Sequence, residues 1–343
     1  MHHEMTAEWL LRGAAVLAVA AALSAVLIVI LRPLLERYAL ARPNARSSHA
    51  VPTPQGGGIA VVAATIAVAC GALYFSAAAA SGAGALSAVF AAALLMAGVG
   101  VADDIRSIDV APRLALQALA VALVIFALPN ELRVLPSAPW WIERILLVVG
   151  GAWFVNLVNF MDGLDWMTVA EVLPVTATLA VIGGLGALPP AAVAVTLALC
   201  GATIGFAIFN RPIASLFLGD VGSLPIGLLL GWLLLLLATG GHLAAAVVLP
   251  LYYLADATIT LLRRLARGER FWQAHRTHFY QLATDRGFGV TEVVGWVFVV
   301  NIGLCALAAL TVIVPGRPSD VGALLGGAVL VGCLLGAFAR GRK

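Results

Sequence analysis

Charge is scarce in this chain. Only 11% of its 343 residues are Asp, Glu, Lys or Arg, against roughly 25% in a soluble domain. Apolar residues make up 62%, and the mean hydropathy is +1.03, which excludes folding in water. Lysine is nearly absent: Lys343 is the only one, so arginine carries the basic charge. Cys70, Cys200, Cys305 and Cys333 each sit inside an apolar run, which indicates neither a disulfide framework nor a thiolate metal site. There is no evident internal repeat and no polar stretch long enough for a separate soluble domain. The net charge of +3 says little by itself, because the placement of the charges carries the information, and no nucleic-acid partner is expected.

What is present is a series of apolar runs of bilayer-crossing length, roughly 17–25 residues. Eleven are expected, near 9–31, 56–76, 84–102, 111–128, 141–159, 166–186, 189–209, 221–239, 242–262, 290–314 and 320–339. The first is too long for a cleaved signal peptide and reads as a retained signal anchor. An all-α, polytopic integral membrane protein follows, a single transmembrane domain over 1–343. Basic residues gather on the cytoplasmic side of membrane proteins. With the N-terminus periplasmic and the C-terminus cytoplasmic, 16 of the 20 basic residues fall inside.

The same parity sorts the polar motifs. RSSHAVPTPQGGG (46–58), DDIRSID (103–109), NLVNFMDGLD (156–165), FNRPIASLFLGDVGS (209–223) and RRLARGERFWQAHRTHFYQ (263–281) all follow odd-numbered spans. They therefore share the cytoplasmic face, in loops near 32–55, 103–110, 156–165, 209–220 and 263–289, and point to one composite site. Asp103, Asp104, Asp162, Asp165 and Asp220 form a carboxylate set with no lysine among them. Such a set repels itself unless cations enter, and hard oxygen ligands suit Mg²⁺, with Mn²⁺ an alternative. The arginines and histidines between Arg263 and Arg286 are natural partners for phosphate oxygens. Together these imply a magnesium-dependent reaction on a phosphorylated substrate at the membrane surface.

In this order, the aspartate pair, the NxxNxxDGxD block, FLGDVGS and the histidine motif resemble the polyprenyl-phosphate N-acetylhexosamine-1-phosphate transferases, the family of MraY and WecA (glycosyltransferase family 4). The resemblance runs from Arg46 to about Gln281. It implies transfer of a sugar-1-phosphate from a UDP-N-acetyl sugar to undecaprenyl phosphate, with release of UMP, at the bacterial inner membrane. RSSH with PTPQGGG, and AHRTHFYQ, look most like the O-antigen-initiating, WbpL-like branch. That branch uses N-acetylfucosamine or N-acetylquinovosamine donors and feeds lipopolysaccharide synthesis; N-acetylglucosamine is the other candidate. A homodimer is compatible with the family.

By the resemblance, Asp220 is the principal metal ligand, and Gly219 and Gly222 admit the metal-bound diphosphate. Asp103 deprotonates the lipid phosphate, and Asp104 supports metal or phosphate binding. Asp162 and Asp165 serve metal and nucleotide contacts in the catalytic group. Asn156 and Asn159 contact substrate, as do Arg263, Arg276 and the donor-diphosphate pair His275 and His278. Asp256 matches a recurrent family acid; seven residues from Arg263 on one helical face, it is expected to form an ion pair with it. Three alternatives stand beside these roles: Asp104 as a helix-end charge, Asp165 as a cap, and His278 as a packing residue. His49 occupies the region where the MraY branch carries a lysine, a departure that favours a smaller donor than a muropeptide precursor. The 56–58 glycines serve either close helix packing or a phosphate. Both a single displacement and a covalent aspartyl-phosphate route remain open. The competing class is a cation-coupled transporter, although transporters place their ionisable groups near the bilayer midplane.

Overall fold

The computed structural model describes residues 7–41, 52–75, 83–269 and 275–342. Its helices, in chain order, are α1 (Ala7–Tyr38), α2 (Gly58–Tyr74), α3 (Ala83–Ile105), α4 (Val110–Ala127), α5 (Trp140–Met161), α6 (Met167–Ile182), α7 (Pro190–Ala207), α8 (Asp220–Thr239), α9 (Leu243–Val248), α10 (Leu251–Ala266), α11 (Phe279–Asp285), α12 (Val290–Ile313) and α13 (Arg317–Arg340). Among the described residues, nine helices are long and apolar enough to cross a membrane, and Gly58–Tyr74 is a shorter apolar one. The all-α polytopic architecture follows from the composition.

The expected span 242–262 differs. It is divided into α9 and α10 at Pro250, where proline has no N–H to continue the helical ladder. Beyond the break the helix is amphipathic. It buries Tyr252, Tyr253, Asp256, Thr260 and Arg264 while exposing Ile259, Leu262 and Leu265. Eleven uninterrupted spans therefore become nine long helices, one short helix and one broken segment.

Helix α8 is the enclosed centre, packed by α2, α3 and α5. Where α2 crosses α8, Gly58 and Gly222 meet: a Cβ on Gly58 would lie 2.1 Å from the Gly222 Cα. That contact sets the start of α8 beside the ends of α3 and α5. A short antiparallel ladder, Leu40–Ala41 with Thr53–Pro54, continues the same end of the bundle. From it the chain runs alongside 217–218: Gly56 and Gly57 donate their amides to the Phe217 carbonyl, and Gly58 to that of Leu218.

Candidate active site

The site is built on the first turn of α8. Gly219 precedes it with φ +77°, and a Cβ there would sit 2.6 Å from Asp104 Oδ2. The first amides of a helix have no intrahelical partner. Here Asp104, at the end of α3, supplies one: Asp220 N–H donates to its Oδ1 at 3.0 Å and Val221 N–H to its Oδ2 at 3.1 Å. Gln55 Nε2 adds a 3.3 Å contact to Oδ1.

Asp104, expected in catalysis and at the metal, stands here as a cap donated from one helix to another, each oxygen accepting one amide. One expectation is corrected by the same packing. Gly222, expected to admit a diphosphate, has its bare face filled by the α2 backbone, and the 56–58 glycines serve close packing. Gly219 likewise faces Asp104 and the amide of Gly56.

The Asp220 side chain is held differently. Asn159 Nδ2 donates to Asp220 Oδ1 at 2.8 Å and to the Ser223 hydroxyl at 2.9 Å. Asp103 accepts from the Ile108 amide at 2.6 Å and from Arg113 Nη1 at 2.7 Å. Its carboxyl also comes within hydrogen-bonding reach of the Asp220 carboxyl. Two carboxylates so close repel unless a cation or proton sits between them. Among the described residues no three His, Cys, Asp or Glu side chains form a complete metal cage. Mg²⁺ ordinarily takes only one or two protein carboxylates and completes its shell with water and substrate phosphate. Asp220, which faces a cavity, with Asp103 beside it, fits that ion.

Asp220 opens on a cavity of ≈ 540 Å³ between α4, α5 and α10. Arg113, Asn156, Asn159, His275 and His278 line it with polar groups, and Trp153, Phe160 and Leu261 with apolar ones. Asn156 is fixed by Gln117, Nδ2 to Oε1 at 2.7 Å. A second cavity, ≈ 260 Å³ and apolar, is shared by α4, α5, α8 and α10 and lined by Val121, Gly150, Phe154, Trp232 and Leu254, among others.

The remaining motif residues frame the site. Asp162 follows α5 and accepts from the Thr168 hydroxyl. Desolvation by the surrounding protein, reinforced by Asp220, Asp104 and Asp165, pushes its carboxyl up to about 8, although the residue keeps an exposed edge. Asp165 is buried and accepts the Ala214 amide at 3.0 Å, bracing the 209–219 loop rather than lining the cavity. The same loop is held by Asn210, whose Oδ1 accepts the Trp166 amide. Gly163, between the two acids, lies against Tyr280; a Cβ would fall 2.1 Å from its hydroxyl, which donates to the Phe160 carbonyl at 2.9 Å.

The expected Asp256–Arg263 ion pair is not made. Asp256 is fully buried and turns to the start of α11, while Arg263 stacks over the Phe279 ring at 5.1 Å. Seven residues of spacing give a shared face, but Asp256 is buried with its oxygens filled by the Phe279 and Tyr280 amides, while Arg263 is exposed. Arg276 pairs with Asp285 at 3.3 Å, away from the cavity. His275 and His278 stand with ring centroids 4.9 Å apart at the cavity edge. His49 lies outside the described residues.

Arg113 and Gln117 join the site without having been singled out. Their signal was available: two polar residues at i and i+4 in the otherwise apolar α4 share a face.

Residues 86–238 match the model of glycosyl transferase family 4. The chain is similar to the decaprenyl-phosphate N-acetylglucosaminephosphotransferase of Mycobacterium leprae, at 26% identity covering 85% of this chain and 81% of the relative. It is 24% identical to the probable undecaprenyl-phosphate N-acetylglucosaminyl 1-phosphate transferase of Bacillus subtilis, over 82% and 83% of the two chains. The phospho-N-acetylmuramoyl-pentapeptide-transferase of Gluconobacter oxydans is 28% identical over 53% of this chain and 56% of its own.

Proposed function

The chain belongs to glycosyl transferase family 4, and on that premise we propose that it transfers an N-acetylhexosamine 1-phosphate from a UDP-sugar to undecaprenyl phosphate, releasing UMP. The site would face the cytoplasm of a bacterial inner membrane, where the arginine-rich loops are expected. One observation carries the reading: Asp220, Arg113 and two imidazoles line one cavity, with Asp103 behind it paired to Arg113, and an apolar cavity is shared by the same helices. Carboxylates suit a metal, guanidinium and imidazoles suit phosphates, and an apolar chamber suits a prenyl chain.

The lipid phosphate enters against Arg113, which neutralises it and holds its oxygen toward the donor. That oxygen attacks the β-phosphorus of the UDP-sugar; the bond to UMP breaks and UMP leaves with the electron pair. Asp103, positioned by Arg113 and the Ile108 amide, receives the proton where the lipid phosphate still carries one. A magnesium ion on Asp220 and Asp103 would neutralise charge developing on the leaving phosphate. Asn159 fixes the Asp220 rotamer. Single displacement needs no aspartyl-phosphate intermediate, because the lipid phosphate oxygen is itself the nucleophile.

Among donors we place UDP-N-acetylglucosamine first, since the relatives spanning most of the chain carry that sugar in their names. The 6-deoxy sugars and an O-antigen role rest on motifs that lie partly outside the described residues. The transporter alternative gains nothing from the family match or from these relatives. Purified protein given undecaprenyl phosphate and a panel of UDP-N-acetyl sugars should yield a lipid heavier by one sugar and one phosphate. Mass spectrometry identifies the sugar; an unmodified lipid with every donor, despite donor binding, contradicts the transfer.

A further inference from the structure

Asp256 gathers more donors than any other acid described. Its Oδ1 lies 3.2 Å from His278 Nδ1 and accepts from the Phe279 amide at 3.0 Å and the Thr260 hydroxyl at 3.3 Å. Its Oδ2 accepts from the Tyr280 amide at 3.1 Å and the Tyr252 hydroxyl at 3.3 Å. The side chain is fully buried and His278 nearly so. A buried carboxylate is tolerated only with this density of donors. Its place matters as much as its partners: α10 carries it, yet its hydrogen-bond contacts beyond α10 all fall at residues 278–280, the start of α11.

We propose that Asp256 is a positioning residue that fixes His278 in one ring state, with Nδ1–H toward the carboxylate and Nε2 left to the cavity. A carboxylate accepting two backbone amides and two hydroxyls has no proton to give, so the hydrogen shared with His278 belongs to the imidazole. His278 lines the polar cavity on the same side as Asn159 and Asp220. His275 lies tilted against it at 4.9 Å, and Tyr280 stacks with it at 5.8 Å. These ring contacts and the carboxylate together hold the imidazole in place. Nε2 then meets the substrate phosphates as a preset partner, an acceptor when the ring is neutral and a donor when it is protonated. The role of His278 at phosphate rests on the transferase reading; its ring state does not.

Two measurements separate these layers. ¹⁵N spectra of histidine-labelled protein in membranes, with the His278 signal assigned by its loss in His278→Gln, should show a protonated Nδ1. A His278 ring protonated only at Nε2 overturns the proposal whether or not the protein is a transferase. The second is a double-mutant cycle in single-turnover transfer. Asp256→Asn should slow transfer at least tenfold in the parent and less than threefold in the His278→Gln background, because the acid then has no imidazole to position. Equal losses in both backgrounds would mean that Asp256 only docks α11, and the proposal would fall. His278→Asn, whose amide nitrogen stands near the position of Nδ1, should keep α11 docked and the thermal midpoint close to the parent, yet lose transfer as His278→Gln does.

Discussion

Removing the Asp104 carboxylate should unfasten α8 from α3, and the effect should appear in the absence of any metal. In Asp104→Ala, the Asp220 and Val221 amides, which donate at 3.0 and 3.1 Å, lose their acceptor at the first turn of the most enclosed helix. A hydrogen bond to a charged group contributes roughly 1.5–3 kcal/mol, and a buried donor left alone costs about 1–3 kcal/mol. Loss of an ordinary N-cap costs about 0.5–2 kcal/mol. The two amides share one carboxylate, so these figures overlap, and we expect about 3 kcal/mol for Ala. Asp104→Asn keeps one acceptor oxygen and should lose about half of that. Thermal unfolding of detergent-solubilised protein in excess EDTA, followed by tryptophan fluorescence, should rank wild type above Asn above Ala. A metal ligand would behave oppositely: its removal relieves repulsion and leaves the metal-free protein unchanged or firmer. Ala melting with wild type in EDTA would refute the cap.

Other perturbations follow from the same geometry. Gly58→Ala would put a Cβ 2.1 Å from the Gly222 Cα; helix backbones cannot yield as side chains do, so overpacking of about 1–3 kcal/mol or more should show as a lower thermal midpoint and reduced folded yield. Arg113→Ala should raise the KM for the lipid phosphate at least tenfold with a smaller change for the UDP-sugar, measured by steady-state UMP release, and Arg113→Lys should recover part of it. Asp162, raised to about 8 chiefly by desolvation, holds a proton in the fold that the unfolded chain gives up. Its contribution is therefore complete at low pH and is lost as pH rises from about 4 toward 8. Metal-free thermal midpoints should fall across that window, and Asp162→Asn should flatten the slope.

Membrane residence and helical class could both be read from residue order, as could the meeting of Asp103, Asp104, Asp162 and Asp220 at one place. Long apolar runs leave no other fold, and charged groups inside them are too costly to be accidental. Asp220 and Asn159 were also legible, since both stand in a block whose polar density has no packing explanation. What escaped was direction. A DD pair looks the same whether its oxygens meet a cation or, as at Asp104, the amides of a helix 116 residues further along. Asp256 and Arg263 share a face by spacing, but the backbone amides that claim Asp256 come from α11, whose placement against α10 no local pattern encodes. Gly222 had a role legible in kind, close approach, but not in partner. The break at Pro250 was written in the residues, with proline followed by an amphipathic stretch inside an apparent span.

The most direct test of the transferase is UMP release by the wild-type protein and by Asp220→Asn, with the lipid and Mg²⁺ each supplied or withheld. Asparagine can still accept the Asn159 amide, so the variant should remain folded while losing the charge that a metal needs. The account predicts release by the wild type only when polyprenyl phosphate, UDP-sugar and Mg²⁺ are all present, and a loss of at least a hundredfold in the variant at an unchanged thermal midpoint. Release that proceeds without the lipid, or a folded variant that retains most of its rate, would contradict it.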